Sequence, residues 1–393
     1  MKRSNKKSKP TIALVANSSW SIYNFRLGLI RALLDEGHNI VVIAPRDNFT
    51  SKLVSEKITF KEIHMSNYGK NPFGDVKLCH QLYKIYKKEQ VDFIFHYTIK
   101  PNIFGTIAAF FGRIPSILVI TGLGQLFNFS NWVVRWITLF LYRIATLLSK
   151  EVWFLNENDR DIFKYKRIVR GKKTKVLPSE GIDTEWFRST KERDPRPPTK
   201  FLFAGRLIKD KGVIVYAKAA KIIKSKYPDT EFELLGFIDT NNPNAISYKQ
   251  IEEWQKEKIL SYLGETTDIR PYFENADCLV FPSFYREGIS RVLLEGAAME
   301  LPIITTNNVG CREIVQHGKN GFLCTPQDID SLVDQIEIFL ELGAQDRMVM
   351  GKLSRKKVSR EFGEERVISI YAQKLKEFKV YANRSENIYI KRT

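Results

Sequence analysis

Short apolar runs alternate with stretches of helical period along this chain, and that rhythm restricts its possible folds more than any other feature. Thr11–Ala16 reads as a buried strand, residues 24–36 as a helix stopped at Gly37, and Ile40–Ala44 as a second strand. Lys77–Glu89 and Asn102–Phe111 continue as helices, with Phe93–His96, Ser116–Ile120 and Glu151–Asn156 as strands. A proline-rich, charged segment, Lys191–Lys200, interrupts the pattern and reads as a linker. The rhythm then resumes with strands at Phe201–Ala204, Glu231–Leu235, Lys258–Leu263, Cys278–Pro282 and Pro302–Thr305, and with helices at Val213–Tyr227 and Arg291–Met299. Strands that alternate with helices form parallel sheets covered on both faces. The expectation is an α/β chain of two doubly wound, Rossmann-like parallel-sheet domains, residues 1–180 and 181–393, facing a cleft, with the final helix free to return to the first. A length of 393 residues suffices for two separate cores.

The net charge of +18 is divided unevenly. Residues 1–180 hold 29 Lys plus Arg against 13 Asp plus Glu, whereas 181–393 hold 33 against 31. A protein gripping nucleic acid along its length has little use for this division, and no basic motif interleaved with aromatics is present. One lobe resting on an anionic membrane would use it, and so would a solvated basic face. Cys79, Cys278, Cys311 and Cys324 lack the paired spacing of zinc or redox motifs, so the reading is a reducing cytoplasm and no metal. MKRSNKKSKP has the charge of a signal peptide but is followed by an apolar run broken at Asn17, which reads as a basic tail before the first strand. The most apolar stretch, Trp132–Leu148, contains Arg135 and Arg143, so no spanning helix is expected.

Two segments carry chemistry. In FLFAGRLIKDKG, residues 201–212, a strand runs into Gly205 and Arg206, with Lys211 and Gly212 before the next helix. Two cations beside small residues suit a diphosphate whose charge grows as a bond breaks. In FPSFYREGISRVLLEGAAM, residues 281–299, Glu287 and Glu295 stand eight positions apart. On one helix they would lie about 80° apart and roughly 12 Å along the axis, too far to act on a single bond. One can accept from sugar hydroxyls and the other from a ribose, while Gly288, Ile289 and Ser290 offer amides at a helix start. An ordinary solvated turn and a helix-start carboxylate remain the alternatives for each segment taken alone.

Together with ADCLVFPS before the second segment, NVGCREIVQHGKNGFL after it, LPSEGIDTEWF at 177–187 and EGHNIVVIAP at 36–45, these motifs resemble retaining glycosyltransferases of family 4, which have the GT-B fold. The likeness covers most of the chain. It implies an acceptor-binding first domain and a nucleotide-sugar-binding second domain. It also implies that Arg206 and Lys211 hold the departing diphosphate, Glu295 the ribose, and Glu287 the transferred sugar, with Gly205, Gly288, Ile289 and Ser290 near the donor. NSSWSIYNFR at 17–26, YTIKPNIFG at 97–105 and TGLGQLF at 121–127 are similar to enzymes that add a hexose or N-acetylhexosamine to polyprenyl-diphosphate-linked sugars. That likeness implies a UDP-sugar donor, a lipid-linked saccharide acceptor, no cofactor and no metal. Where many members carry a histidine after the fourth strand, this chain has Ile120, Thr121 and Gly122, so Thr121 and Gly122 are expected to shape the donor pocket. Asn24, Arg26, Tyr97 and Lys100 are the expected acceptor contacts.

The helix expected across residues 131–150 carries Trp132, Trp136, Phe140 and Tyr142 beside Arg135 and Arg143, which fits either an interfacial helix or a buried one. A place on the inner face of the cytoplasmic membrane, without a spanning segment, follows from the first reading. The alternatives are a nucleotide-sugar 2-epimerase of the same architecture, a basic nucleic-acid-binding protein, and an NAD-dependent dehydrogenase. The last lacks Gly-x-Gly-x-x-Gly after the first strand, where NSSWSIYN stands.

Overall fold

The computed structural model describes residues 9–65, 72–123, 132–190, 197–240 and 242–390. The tail residues 1–8, the part of TGLGQLF from Gly124 on, and 191–196 of the proline-rich segment lie outside the described residues. All ladders between named strands are parallel among the described residues, as the alternation requires. The chain divides into one unit that runs to Gly181 and resumes at Glu364, and a second that spans Ile182–Gly363.

In the first unit the order is β1 (Thr11–Val15), α1 (Ser19–Asp35), β2 (Asn39–Ala44), α2 (Thr50–Val54), β3 (Thr59–Glu62), α3 (Pro72–Lys88) and β4 (Phe93–Tyr97). A π-helical turn, Pro101–Gly105, leads into α4 (Thr106–Phe111), followed by β5 (Ser116–Ile120), α5 (Trp132–Leu148), β6 (Glu151–Phe154), α6 (Glu157–Tyr165) and β7 (Thr174–Val176). The helix expected from Asn24 begins five residues earlier, because Ser18 adopts extended geometry and its side chain accepts the Ser21 amide. The seven strands lie in the order β3-β2-β1-β4-β5-β6-β7. Strand order therefore reverses at β1, and right-handed crossovers send α1 and α2 to one face and α3 to α6 to the other. The contacts agree, with α4 touching both α3 and α5, and α1 touching α2.

The second unit runs β8 (Thr199–Ala204), α7 (Val213–Lys226), β9 (Thr230–Leu235), α8 (Tyr248–Lys256), β10 (Ser261–Tyr262), α9 (Arg270–Asn275), β11 (Cys278–Phe281), α10 (Arg291–Ala298), β12 (Ile303–Thr306), β13 (Gly321–Cys324), α11 (Ile329–Glu341) and α12 (Ala344–Phe362). Its sheet order is β10-β9-β8-β11-β12-β13, so the reversal falls between β8 and β11. The strand expected over Lys258–Leu263 shrinks to two residues, since Ile259 still donates to the Trp254 carbonyl at 2.9 Å and Lys258 turns left-handed at φ 54°. Phe201, Phe203, Phe232 and Leu279 fill the core between this sheet and its helices.

The second unit closes at Gly363, and the terminal helix α13 (Glu364–Ile390) belongs to the first unit, the return that the sequence left open. The Tyr371 ring lies tilted 4.7 Å from Phe95 and edge-on 5.0 Å from Trp153, and Phe378 lies 5.1 Å from Phe93. These aromatics anchor the helix to the sheet. Truncating Tyr371 removes a fully packed ring, so Tyr371→Ala should cost about 3–5 kcal/mol in urea unfolding followed by a first-unit probe. Lys376→Ala, at an exposed position of the same helix, should stay within about 0.5 kcal/mol. Equal shifts for the two variants would contradict the anchoring role.

Candidate functional site

Open parallel sheets bind ligands outside the carboxyl ends of their strands, where strand order reverses. In the second unit that place lies beyond β8 and β11, where the loops 205–212 and 282–290 begin. The Asp210 carbonyl stitches the two loops together by accepting the Phe284 and Tyr285 amides at 3.0 and 2.9 Å. The Asp210 carboxylate accepts the Asn244 side-chain amide at 3.2 and 3.3 Å, and the Asn244 carbonyl accepts the Lys209 amide at 2.8 Å. Gly212 closes this turn at φ 84°, and a Cβ there would stand 2.1 Å from the Pro282 carbonyl oxygen. Only glycine permits that approach.

The stitched loops bring Lys211 and Glu287 into a partly buried ion pair, with the ammonium 5.0 Å from the Tyr285 ring. Burial pushes the Tyr285 hydroxyl up to about 12, with Glu287 adding to the rise and Arg206 opposing it, so Arg206 stands in the same electrostatic neighbourhood. Arg206, Lys211, Tyr285 and Glu287 thus form one cluster at the switch point. Gly310 presses against Glu287 from the other side: a Cβ would lie 2.4 Å from the Glu287 Cβ, and Gly310 has φ 84°.

Glu287 precedes α10, so helical spacing does not relate it to Glu295. Glu295 sits inside α10 and accepts from Arg291 Nε at 2.8 Å. Burial raises its pKa above the usual carboxylate range, and Arg291 draws it back. Of the three residues expected to offer amides, Ser290 has its own committed to the Gly310 carbonyl at 2.7 Å. Gly288 is buried and Ile289 packs on the core edge. Gly205 ends β8 at φ 145°.

The residues expected at the acceptor divide differently. Arg26 is buried: its guanidinium pairs with Glu180, donates to the Ser21 carbonyl at 2.8 Å and lies 3.8 Å over the Tyr97 ring. Tyr97 is buried too, with its hydroxyl 3.3 Å from that of Tyr371 and its pKa pushed up to about 12 by burial. Both are packed into a polar network inside the first unit, because α1 turns that face towards β4. Asn24 donates to the Trp20 carbonyl of its own helix at 2.9 Å, and Lys100 pairs with Asp75 at 2.7 Å. Thr121 and Gly122, partly exposed, follow β5. His96 is a packed core residue between the Tyr86 and Thr106 hydroxyls at 3.0 and 3.2 Å, with burial lowering its pKa to about 3.

Residues 184–357 match the family described as Glycosyl transferases group 1, and residues 11–151 that described as Glycosyl transferase 4-like. The N,N'-diacetylbacillosaminyl-diphospho-undecaprenol alpha-1,3-N-acetylgalactosaminyltransferase of Campylobacter jejuni is 28% identical over 84% of this chain and 89% of its own. The UDP-Gal:alpha-D-GlcNAc-diphosphoundecaprenol alpha-1,3-galactosyltransferase of Escherichia coli is 29% identical over 67% of this chain and 70% of its own. Among solved structures, Anabaena HepE in complex with UDP and glucose superimposes with a TM-score of 0.75 at 20% identity, covering 93% of this chain and 99% of that one. The architecture is that of GT-B glycosyltransferases.

The geometry around Gly310 yields a paired test. Gly310→Ala must displace Glu287, and a displacement near 1 Å can cost about 10²-fold in turnover. Gly318→Ala, also at positive φ but with nothing within 4 Å, should leave turnover within a few-fold. Steady-state rates of the two variants compare them directly, and equal losses would refute the contact argument.

Proposed function

Because the chain is a glycosyltransferase, with a glycosyl transferase 4-like first half and a group 1 second half, we propose that it moves a hexose or N-acetylhexosamine from a UDP-sugar to a saccharide carried on undecaprenyl diphosphate, with retention of configuration. The observation that carries this reading is the Lys211–Glu287 pair beside Arg206 at the switch point of the second sheet. The activities of the Campylobacter and Escherichia relatives on diphosphoundecaprenol-linked sugars support the acceptor class. The product belongs to the assembly of a cell-surface glycan or a glycosylation precursor.

In this reading an acceptor hydroxyl oxygen forms the new bond to the anomeric carbon as the bond from that carbon to the phosphate oxygen breaks. The proton passes to the departing phosphate, on the same face of the sugar. Arg206 and Lys211 hold the charge that develops on the diphosphate, in a partly desolvated site where such contacts are strongest. Lys211 is held in place by Glu287, so it is oriented before the donor arrives. Glu287 faces the hydroxyls of the transferred sugar, and Glu295 accepts from the ribose. Two cations placed at the diphosphate do the work that a divalent ion does elsewhere, so turnover needs neither metal nor cofactor. The first unit receives the acceptor, with Asn24 and Lys100 as its polar contacts, while Arg26 and Tyr97 keep the framework in place. The enzyme works as a peripheral protein on the inner face of the cytoplasmic membrane, where the excess positive charge of residues 1–180 meets anionic lipid. Among the described residues no helix is long and apolar enough to cross a membrane.

The test supplies UDP-sugars and a polyprenyl-diphosphate-linked N-acetylhexosamine in detergent. Sugar transfer, an anomeric configuration in the product that matches the donor by NMR coupling, and indifference to EDTA are expected. Arg206→Ala and Lys211→Gln should each lower kcat by about 10²–10³-fold while circular dichroism shows both variants folded; Lys211→Gln should also lower the melting temperature, because it removes one partner of the ion pair. Nucleotide release that ignores the acceptor, with a 2-epimer as product, would replace this reading by the epimerase one.

A further inference from the structure

Part of the helix layer on one face of the first sheet exposes large apolar side chains. Along α5 the exposed positions 132, 136, 140, 143 and 147 follow helical spacing, and four of the five are Trp132, Trp136, Phe140 and Leu147. Trp136 and Phe140 stack at 5.8 Å with their rings nearly parallel. The opposite side of α5, with Tyr142, Ala145 and Thr146, is buried in the unit. The sequence left open whether this helix is buried or interfacial; it uses one face for the core and leaves the other in solvent. The neighbouring helices extend the surface, with Phe110 and Phe111 exposed on α4 and Phe73 88% exposed on α3. Ten of the nineteen exposed large hydrophobics among the described residues lie on these three helices. Solvent-facing apolar residues at such density mark an interaction surface.

The charge around the patch identifies what covers it. Within α3, α4, α5 and the Arg113 turn the sequence has Lys77, Lys84, Lys87, Lys88, Arg113, Arg135 and Arg143, against Asp75 as the sole carboxylate. Asp75 is itself paired with Lys100 at 2.7 Å. A second copy of this chain would set the same cations against each other, whereas an anionic lipid surface answers them. Aliphatic Val133, Ile137 and Leu147 among the aromatics suit acyl chains better than nucleic-acid bases, and tryptophan is the side chain most at home at headgroup depth.

We propose that α3, α4 and α5 together form a membrane-insertion face, in which the exposed aromatics enter the headgroup and upper acyl region of an anionic bilayer and the surrounding Lys and Arg contact lipid phosphates. The proposal rests on the membrane-surface reading above and goes further, because it assigns binding to one composite face of three helices and to apolar insertion, not to diffuse basicity. Other charges of the first half contribute attraction at longer range.

The probe is a set of phosphatidylcholine vesicles with and without about one third phosphatidylglycerol, since anionic headgroups supply the attraction. The full chain should sediment with the anionic vesicles, and its tryptophan emission should be quenched by brominated acyl chains. Trp136→Ser with Phe140→Ser, and separately Phe110→Ser with Phe111→Ser, should each weaken vesicle binding by roughly tenfold or more, as expected when two buried apolar side chains are lost. Val349→Ser with Leu353→Ser, exposed residues of the second unit, should bind as the parent does. Circular dichroism and turnover on acceptor in detergent verify that each variant is folded. Unchanged vesicle binding in either aromatic pair overturns the composite face. So does a concentration-dependent dimer that protects Trp136 without lipid, or binding to RNA in place of vesicles. Failure of transfer in detergent with vesicle binding intact would instead count against the proposed reaction and leave the surface standing.

Discussion

The second unit depends on one backbone oxygen. By accepting two successive amides, the Asp210 carbonyl fixes the exit of β11 against the exit of β8, and the positions of Lys211, Tyr285 and Glu287 follow from it. An unmade hydrogen bond at a buried amide costs about 1–3 kcal/mol, so a loop pair held by two such bonds does not drift without penalty. Side chains from the end of β12 complete the frame: Thr305 donates to the Phe281 carbonyl at 2.7 Å, and Asn308 to the Tyr285 carbonyl at 2.9 Å. The charged groups are therefore carried on backbone that is already satisfied, which is the condition for electrostatic preorganisation.

This arrangement explains which parts were legible in sequence. The strands of both sheets show as apolar runs because parallel strands are buried on both faces, and β1, β2, β5, β8, β9 and β11 are found where such runs stand. Strands β3, β7 and β13 escape the reading because they lie at sheet edges or are only half covered; TFKE and TKV have no apolar run to report. Arg206, Lys211 and Glu287 could be picked out because their charge is unusual beside glycine in loops that follow strands, and Glu295 because it stands eight positions after Glu287. Asp210, Asn244 and Gly310 could not, since which carbonyl, which amide and which glycine meet the site is decided by contacts between segments far apart in sequence. The same limit explains Arg26. A basic residue early in a helix reads as solvent-facing, and only the fold reveals Glu180, 154 positions away, as its partner.

Arg26 also shows why the ends of the first unit matter to its interior. Glu180 lies one residue before the chain leaves that unit, and Tyr371, which meets Tyr97, lies on the helix that returns to it. A buried guanidinium is tolerable only when its donors are matched, and here a carboxylate, a carbonyl and an aromatic face match them. The polar centre of the first unit therefore forms only when both distant segments are in place. That dependence makes the last helix part of the first folding unit and not an appendage.

Under the proposed membrane-surface function, the uneven charge of the two halves reflects a physical division of labour. A nucleoside diphosphate carries few charges and must be released after each turnover, so a site that binds it gains little from a strongly positive surrounding surface. Two cations in a partly desolvated position, one of them already neutralised by Glu287, provide local charge without a large net field. A bilayer is an extended source of negative potential that is screened within about 8 Å at physiological salt, and holding it requires many cations spread over a face. The near-neutral second half and the strongly basic first half match these two requirements in turn. Net charge alone does not separate the two proposed uses; the proposal rests on its placement, first along the sequence and then around the exposed aromatics of α3 to α5.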